Sequence, residues 1–543
     1  MASGVLPTER SRVRTRENRA ATRMAAWAPY VFAIFFSIWA LRGVTTTDVV
    51  DTDAARHAMN GAFIYDVVRA GQIQHAGQYG MWYYGHLPAI SMPYHPPMFP
   101  LIEAVFFAMF GVKLFTARLA VAVTVGICTF LLYRLTQATS NSNALAACAT
   151  ITTMSLTTFQ LVATEVMLEF PAFAFILAAL WVLRDLDPFF SAGRALLFAA
   201  LSAAAMWTKQ HAVFLGAMPV IYALLSGRSR LLLRKPIWIS IGVFSASALA
   251  LLILSLHFNG VGLDQAGIAS QHVWWGLGIV INVRRYAAWM GDNAIGLPGL
   301  FAVCSVVAYL WGVLLRGRQN LGSSLYLAWI LLVVPLLLVT AGNIRYLFFL
   351  LPPVIVFGYA MLFRGCACLW GERHAWYVPA AFAVAWFVTG LMFTPEFLRG
   401  PGAAAAAVVR GVPARVVYTG EADGNFIFAV RSLDPKLETI VISGEKLKSE
   451  TFEPAAFERF CLQYGIDWIV MEEGTKVHKW SALQTSAPRS MKLERTIPLE
   501  SNRTRWQHGE IRIYRFIAPA GQHPGGVVDL PVPKIHRTIG VHL

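Results

Sequence analysis

Long apolar stretches separated by short polar loops run from Trp27 to Phe393, and there the pattern stops. A helix needs ~20 apolar residues to cross a bilayer, with a range of roughly 17–25. Runs at 25–41, 116–134, 143–162, 170–184, 194–208, 211–226, 236–258, 294–315, 323–341, 346–363 and 375–393 approach that length. They predict a mainly α fold, a polytopic transmembrane helical bundle of about 11 spans. One further run, Met98–Phe110, is too short to cross and reads as an interfacial helix. Beyond about residue 400 the period changes. Short β-like runs at Arg415–Tyr418, Thr439–Ile442, Trp468–Met471 and Ile511–Phe516, with helical spacing over Phe452–Tyr464, predict a small α/β domain over 400–517. The Pro- and Gly-rich end, 518–543, is expected to lack order.

Composition supports the membrane reading: 56% of residues are hydrophobic and only 14% charged, against roughly 25% charged in soluble domains. The net charge of +15 does not point to nucleic acid, because much of it sits in short loops between apolar runs. If 98–110 does not span, the basic tail 1–24, Arg134, Arg184, Arg194, the Arg228–Lys235 cluster, Arg316, Arg318, Arg364 and Arg373 share one side. That side is cytoplasmic by the positive-inside rule, and the α/β domain lies outside the membrane. The six cysteines have no zinc or disulfide spacing.

The outer face then carries the candidate chemistry. The first outer loop, 42–97, places Asp48, Asp51 and Asp53 directly after a span. Glu165 and Glu169, four apart, sit in an outer turn. Such paired acidic sites near membrane depth can hold a divalent cation, act as a general base, or both. Lys209 and Arg345, on the same side, either snorkel to the interface or bind a phosphate. Trp274, Trp275 and Trp289 in the outer loop 259–293 read as an interfacial belt.

Several stretches carry a resemblance. Asp53-Ala-Ala-Arg56-His57-Ala58, Tyr94-His95-Pro96-Pro97, Phe110-Gly111-Val112 with Ala117-Arg118-Leu119, Glu165 to Pro171, Thr208-Lys209 and Arg345-Tyr346 occur in this order. Together they resemble the bacterial type-C (GT-C) glycosyltransferases, the superfamily of the protein O-mannosyltransferases and the aminoarabinose transferase of lipid A. The resemblance covers most of residues 25–393, which it implies form the glycosyltransferase domain. It implies an enzyme of the cytoplasmic (inner) membrane that moves a sugar, with inversion, from a polyprenyl-phosphate donor to an acceptor hydroxyl on a lipid, glycan (such as lipopolysaccharide) or protein.

In that pattern Asp53 is the general base, with Asp51 as the runner-up. Glu169 is the second acidic position, a metal ligand with Asp53 or an orienting group, and Glu165 is less well matched. Arg56 and His57 frame the base. Lys209 and Arg345 take the donor phosphate. His95 stands where the aminoarabinose branch has a phosphate-binding lysine, a departure that shifts weight onto the other two. A transporter or lipid flippase is the competing class; it predicts ionisable residues at mid-membrane and internal repeats, and neither is present.

Overall fold

A computed structural model describes residues 26–185, 191–258, 260, 277–289, 321–340, 342–473, 480–486, 488–503, 509–518, 526–532 and 537–542. The basic tail 1–24, the candidate span 294–315 and most of the outer loop 259–293 lie outside the described residues. The helical part comprises α1 (Ala26–Ala40), α2 (Thr52–Arg69), α3 (Ala76–His86), α4 (Met98–Phe110), α5 (Leu114–Ser140), α6 (Asn143–Ser155), α7 (Thr157–Ala163) and α8 (Glu169–Leu183). It continues with α9 (Ala192–Thr208), α10 (Met218–Leu225), α11 (Lys235–His257), α12 (Leu277–Trp289), α13 (Leu321–Val339), α14 (Leu351–Trp370) and α15 (Tyr377–Met392).

Among the described residues, α5, α11 and α14 are long and apolar enough to cross a membrane. The pair α6–α7, bent by 65°, makes a fourth if it counts as one span. Six shorter apolar helices, α4 among them, fall below that length. Against the expected 11 or so spans, three or four of the described helices reach spanning length. Two expected spans are also interrupted. The run 211–226 begins as a 3-10 turn, Gln210–Gly216, before α10, and the run 346–363 begins as another, Ile344–Phe349, before α14. Apolar composition alone does not register such breaks. On α11, Leu249, Leu252, Ile253 and Leu256 remain exposed on the protein surface, as lipid-facing side chains would be.

Close helix crossings use glycine. A Cβ on Gly61 of α2 would lie 2.6 Å from the Glu103 Cβ of α4, so glycine there lets the two helices touch. On α15, a Cβ on Gly390 would come within 2.8 Å of the Ser155 carbonyl, at the bend between α6 and α7. Small residues allow this backbone approach between helices. Gly390→Val is therefore expected to lower the melting temperature of the purified protein by several degrees, as an overpacking cost of about 1–3 kcal/mol implies; an unchanged melting curve would refute the contact.

The C-terminal domain is a six-stranded mixed sheet, order β1-β5-β6-β4-β2-β3. Its strands are β1 (Leu398–Arg399), β2 (Ala414–Thr419), β3 (Thr439–Ser443), β4 (Trp468–Glu473), β5 (Met491–Ser501) and β6 (Gly509–Phe516). β2 pairs in parallel with both β3 and β4, and the crossovers are α17 (Asp423–Leu433) and α18 (Pro454–Tyr464); α16 (Pro401–Val408) lies between β1 and β2. The β-like runs read from the sequence become β2, β3, β4 and β6.

The 518–543 end differs from its expected disorder. β7 (Val527–Val532) and β8 (Arg537–His542) form an antiparallel two-stranded sheet. Val528, Leu530 and Val532 are buried while Val527, Asp529 and Pro531 face out, and this alternation is what a half-buried strand requires. The buried face packs with Tyr84 of α3 and with Phe457 and Cys461 of α18 in one cluster.

The first outer loop is stitched to this domain. Asp48 accepts from the Gly402 amide (2.9 Å), and its own amide donates to the Leu398 carbonyl (2.7 Å). Deeper in, the Arg431 guanidinium of α17 forms a bidentate pair with Asp66 of α2 (2.6 and 2.7 Å), and the Tyr83 hydroxyl donates to the same carboxylate (3.1 Å). Both charged side chains are almost fully buried, 2% and 1% exposed. A charge pair so placed must stay matched, since either partner alone would be a buried uncompensated ion.

Candidate active site

The site forms where helix ends meet at one end of the bundle. The Asp51 side chain accepts from the Asp53 amide at 2.8 Å and caps α2, which puts Asp53 in the first turn, where the helix dipole favours an anion. Glu169 begins α8 and gains the same benefit. α9 ends at Thr208 because Lys209 is extended (φ −149°, ψ 121°). The Asn343 side chain accepts from the Arg345 amide (3.0 Å) and starts the turn that carries Arg345. That turn is seated by aromatic packing: Phe348 stacks on Phe159 at 4.0 Å and meets Phe170 edge-on at 4.9 Å.

Two ion pairs result. Lys209 Nζ lies 2.5 Å from Glu169 Oε1, with side-chain exposures of 13% and 1%. Arg345 Nη2 lies 3.1 Å from Asp53 Oδ2, and Arg56 approaches the other oxygen at 3.7 Å. Asp53 is 36% exposed. The two carboxylates differ in access: Glu169 is sealed beneath Lys209, whereas Asp53 is partly open to solvent. Burial pushes the Asp53 carboxyl up, but His57, Arg345 and Arg56 outweigh it and hold it below its usual value.

His57 lies one turn beyond Asp53, buried, its pKa pushed down to about 4 mainly by that burial. Its ring meets His95 edge-on at 4.5 Å. The His95 segment is pinned to α2 by Asn60, which donates to the Ser91 hydroxyl (3.0 Å) and accepts from its amide (2.8 Å). Gln210 ties the same segment to the Lys209 turn by donating to the Tyr94 carbonyl (3.2 Å).

Asp51 and Glu165 stand apart from these pairs. Asp51 also receives both terminal nitrogens of Arg503, each at 3.2 Å. Arg503 contacts Glu396 as well. Glu165 faces Arg118, Asp51, Arg503 and Glu396. This second network joins α2 to the C-terminal domain. Asp51 has both of its oxygens engaged, one by the cap and one by Arg503. Reading the sequence missed Arg503 and Glu396, whose partners lie more than a hundred residues away for Glu396 and further for Asp51.

His211 was also passed over. Its ring sits 4.2 Å from the Tyr346 ring, and neither ring nitrogen has a hydrogen-bond partner among the described residues. The only signal was its place two residues after Lys209.

A divalent cation held by Asp53 and Glu169 would have to displace Arg345 and Lys209 from these carboxylates. Among the described residues no three His, Cys, Asp or Glu side chains converge as ligands. Each carboxylate already carries a cationic side chain.

Comparison with known proteins bears on the fold. The family model for dolichyl-phosphate-mannose-protein mannosyltransferases matches residues 94–257. No curated protein matches by sequence. ArnT from Cupriavidus metallidurans bound to undecaprenyl phosphate is similar in structure, with a TM-score of 0.54 and 13% identity over 89% of this chain and 97% of that one. The archaeal oligosaccharyltransferase AglB from Archaeoglobus fulgidus, solved with an inhibitory peptide and a dolichol-phosphate, gives a TM-score of 0.51 and 11% identity over 85% and 71%. An oligosaccharyltransferase of the same organism in complex with Zn and sulfate gives 0.51 and 10% over 82% and 68%. The chain thus has the fold of the GT-C structures it matches, and its residues 94–257 match the mannosyltransferase family model.

Proposed function

We propose that the chain is a membrane glycosyltransferase that moves a sugar from a polyprenyl-phosphate donor to an acceptor hydroxyl on the outer face of the cytoplasmic membrane. The observation that carries this reading is the convergence of Asp53–Arg345 and Glu169–Lys209. It joins one accessible carboxylate to two cations at the mouth of an apolar bundle. Undecaprenyl phosphate and dolichol-phosphate bound to ArnT and AglB support a lipid-phosphate donor. The orientation follows from the charge asymmetry: Arg184 and Arg194 meet at Asp185 (3.0 and 3.8 Å), at the opposite ends of α8 and α9 from Glu169 and Lys209.

The chemistry follows from these positions. The acceptor O–H gives its proton to the Asp53 carboxylate as the acceptor oxygen bonds to the anomeric carbon. The bond from that carbon to the phosphate oxygen breaks, and its electron pair leaves with the polyprenyl phosphate. In-line displacement inverts the anomeric centre. Lys209 and Arg345 stabilise the negative charge growing on the phosphate. The phosphate also draws Arg345 away from Asp53, which removes the cation that depresses its basicity. Glu169 keeps Lys209 in place. His57, buried and neutral near pH 7, leaves Arg345 and Arg56 as the cations in contact with Asp53.

Arg345→Met is expected to weaken undecaprenyl phosphate binding to the purified protein roughly tenfold or more, as loss of a charge-assisted contact implies. Its partner Asp53 stays solvated, so the fold should survive. Equal binding by variant and wild type would remove Arg345 from the donor site. The pH profile gives a second test. A base whose pKa is held down stays ionised until the pH falls through that lowered value. The Asp53-dependent limb of kcat/KM is therefore expected below 3.8, the usual position of such a carboxyl. A limb above pH 5, beyond the usual range around 3.9 for Asp, would name a different base.

A further inference from the structure

A cavity of about 490 Å³ adjoins the site: Arg56, which approaches Asp53, and His95, whose ring meets His57, both line it. Its floor is the first outer loop, its roof the C-terminal domain, and Leu254 and Phe258 at the end of α11 close one wall. The walls are mostly apolar, with Phe63, Met81 and Tyr84 among them. Three charged groups enter: Arg56 from α2, and Asp423 and Lys446 from the C-terminal domain.

Lys446 is set into this roof. Its ammonium donates to the Pro88 carbonyl at 2.5 Å and sits 4.2 Å from the Tyr84 ring centroid. These contacts leave further N–H donors on the ammonium. Burial pushes Lys446 down to about 7; Asp423 opposes that shift and Arg56 adds to it. An anion arriving here would meet two basic side chains, Lys446 and Arg56, against the single carboxylate of Asp423. Asp423 is anchored by its own contacts, accepting from the Ser443 hydroxyl (2.9 Å) and the Gly424 amide (2.7 Å). As a carboxylate it remains an acceptor for further hydroxyl donors.

We infer that this cavity is the acceptor subsite and that it takes an acidic sugar unit. A carboxylate or phosphate on the sugar pairs with Lys446 and Arg56, a sugar hydroxyl donates to Asp423, and Tyr84 covers a carbon face. The inference rests on the donor reading above, because Arg56 in the cavity wall lies 3.7 Å from Asp53, the base that an acceptor must reach. The domain beyond residue 400 then contributes specificity as well as cover.

The test is titration of purified full-length protein in nanodiscs with D-galacturonate, glucose 6-phosphate and galactose, followed calorimetrically. At least one of the two anions is expected to bind roughly tenfold more tightly than galactose. Lys446→Met should erase that difference, and Lys446→Arg should keep most of it. A preference for galacturonate alone identifies a carboxylate-bearing acceptor, and for glucose 6-phosphate alone a phosphate-bearing one. Equal binding of all three sugars, no binding of any, or selectivity unchanged in Lys446→Met would overturn the inference. Undecaprenyl phosphate binding by the same samples separates the two readings. Anion selectivity without lipid-phosphate binding leaves the cavity assignment standing while the donor reading fails; the reverse removes the subsite only.

Discussion

Asp53→Asn is expected to lower sugar transfer by roughly 10²–10⁴-fold, the usual worth of a positioned general base. The substitution keeps the shape and leaves an oxygen that accepts from Arg345, now 3.1 Å away. It also keeps the backbone amide that Asp51 caps. The fold should therefore be intact, and undecaprenyl phosphate should bind at least as well, because Arg345 is no longer held by a carboxylate. What disappears is the proton acceptor. The 36% exposure of Asp53, set against 1% for Glu169, is the reason for expecting the loss here. If Glu169 were the base, an acceptor would first have to displace Lys209. A folded Asp53→Asn protein working at the wild-type rate would end the assignment.

The second large effect concerns the union of the two parts of the chain. Arg431→Leu leaves Asp66 buried with only the Tyr83 hydroxyl for company. Removing one partner of a buried ion pair costs about 3–5 kcal/mol. Thermal unfolding should shift down by several degrees or more, and amide exchange should rise first in α17 and α2. The double change of Arg431 and Asp66 to Leu should recover much of the loss, since neither ion remains to be compensated. Equal unfolding temperatures for Arg431→Leu and the wild type would mean that this pair does not join the parts.

Much of this site is legible in the sequence because lipid is intolerant of charge. Glu169, Lys209 and Arg345 had to fall at helix ends, and a single change in how Met98–Phe110 is read puts them on one face. Which anion meets which cation is another matter. Asp53 and Arg345 are 292 positions apart, and helical periodicity carries no information about contacts at that distance. Asp51 and Asp53 illustrate the local limit. Two carboxylates two residues apart point different ways at a helix start, so one caps while the other faces the opening.

The breaks at Gln210–Gly216 and Ile344–Phe349 were hidden for a physical reason as well. A 3-10 turn uses the same apolar residues as the α-helix it replaces. At the terminal hairpin, composition and pattern point in different directions. Pro531 and the glycines nearby suggested disorder, although the alternation Val528, Leu530, Val532 already described a strand with one buried face. Arg503 and Lys446 were invisible as functional groups, because their significance depends on where the C-terminal domain sits above the first outer loop.

The most direct measurement is transfer itself. Purified protein would be incubated with a panel of polyprenyl-phosphate sugars labelled in the sugar, together with an isolated cell-envelope fraction as acceptor. The account predicts that label leaves at least one of these lipids for an envelope component, with free polyprenyl phosphate released in equal amount and the anomeric configuration inverted. It also predicts that Asp53→Asn abolishes the transfer. Label that stays on every lipid in the presence of the active, folded protein, or that moves with retained configuration, would contradict it.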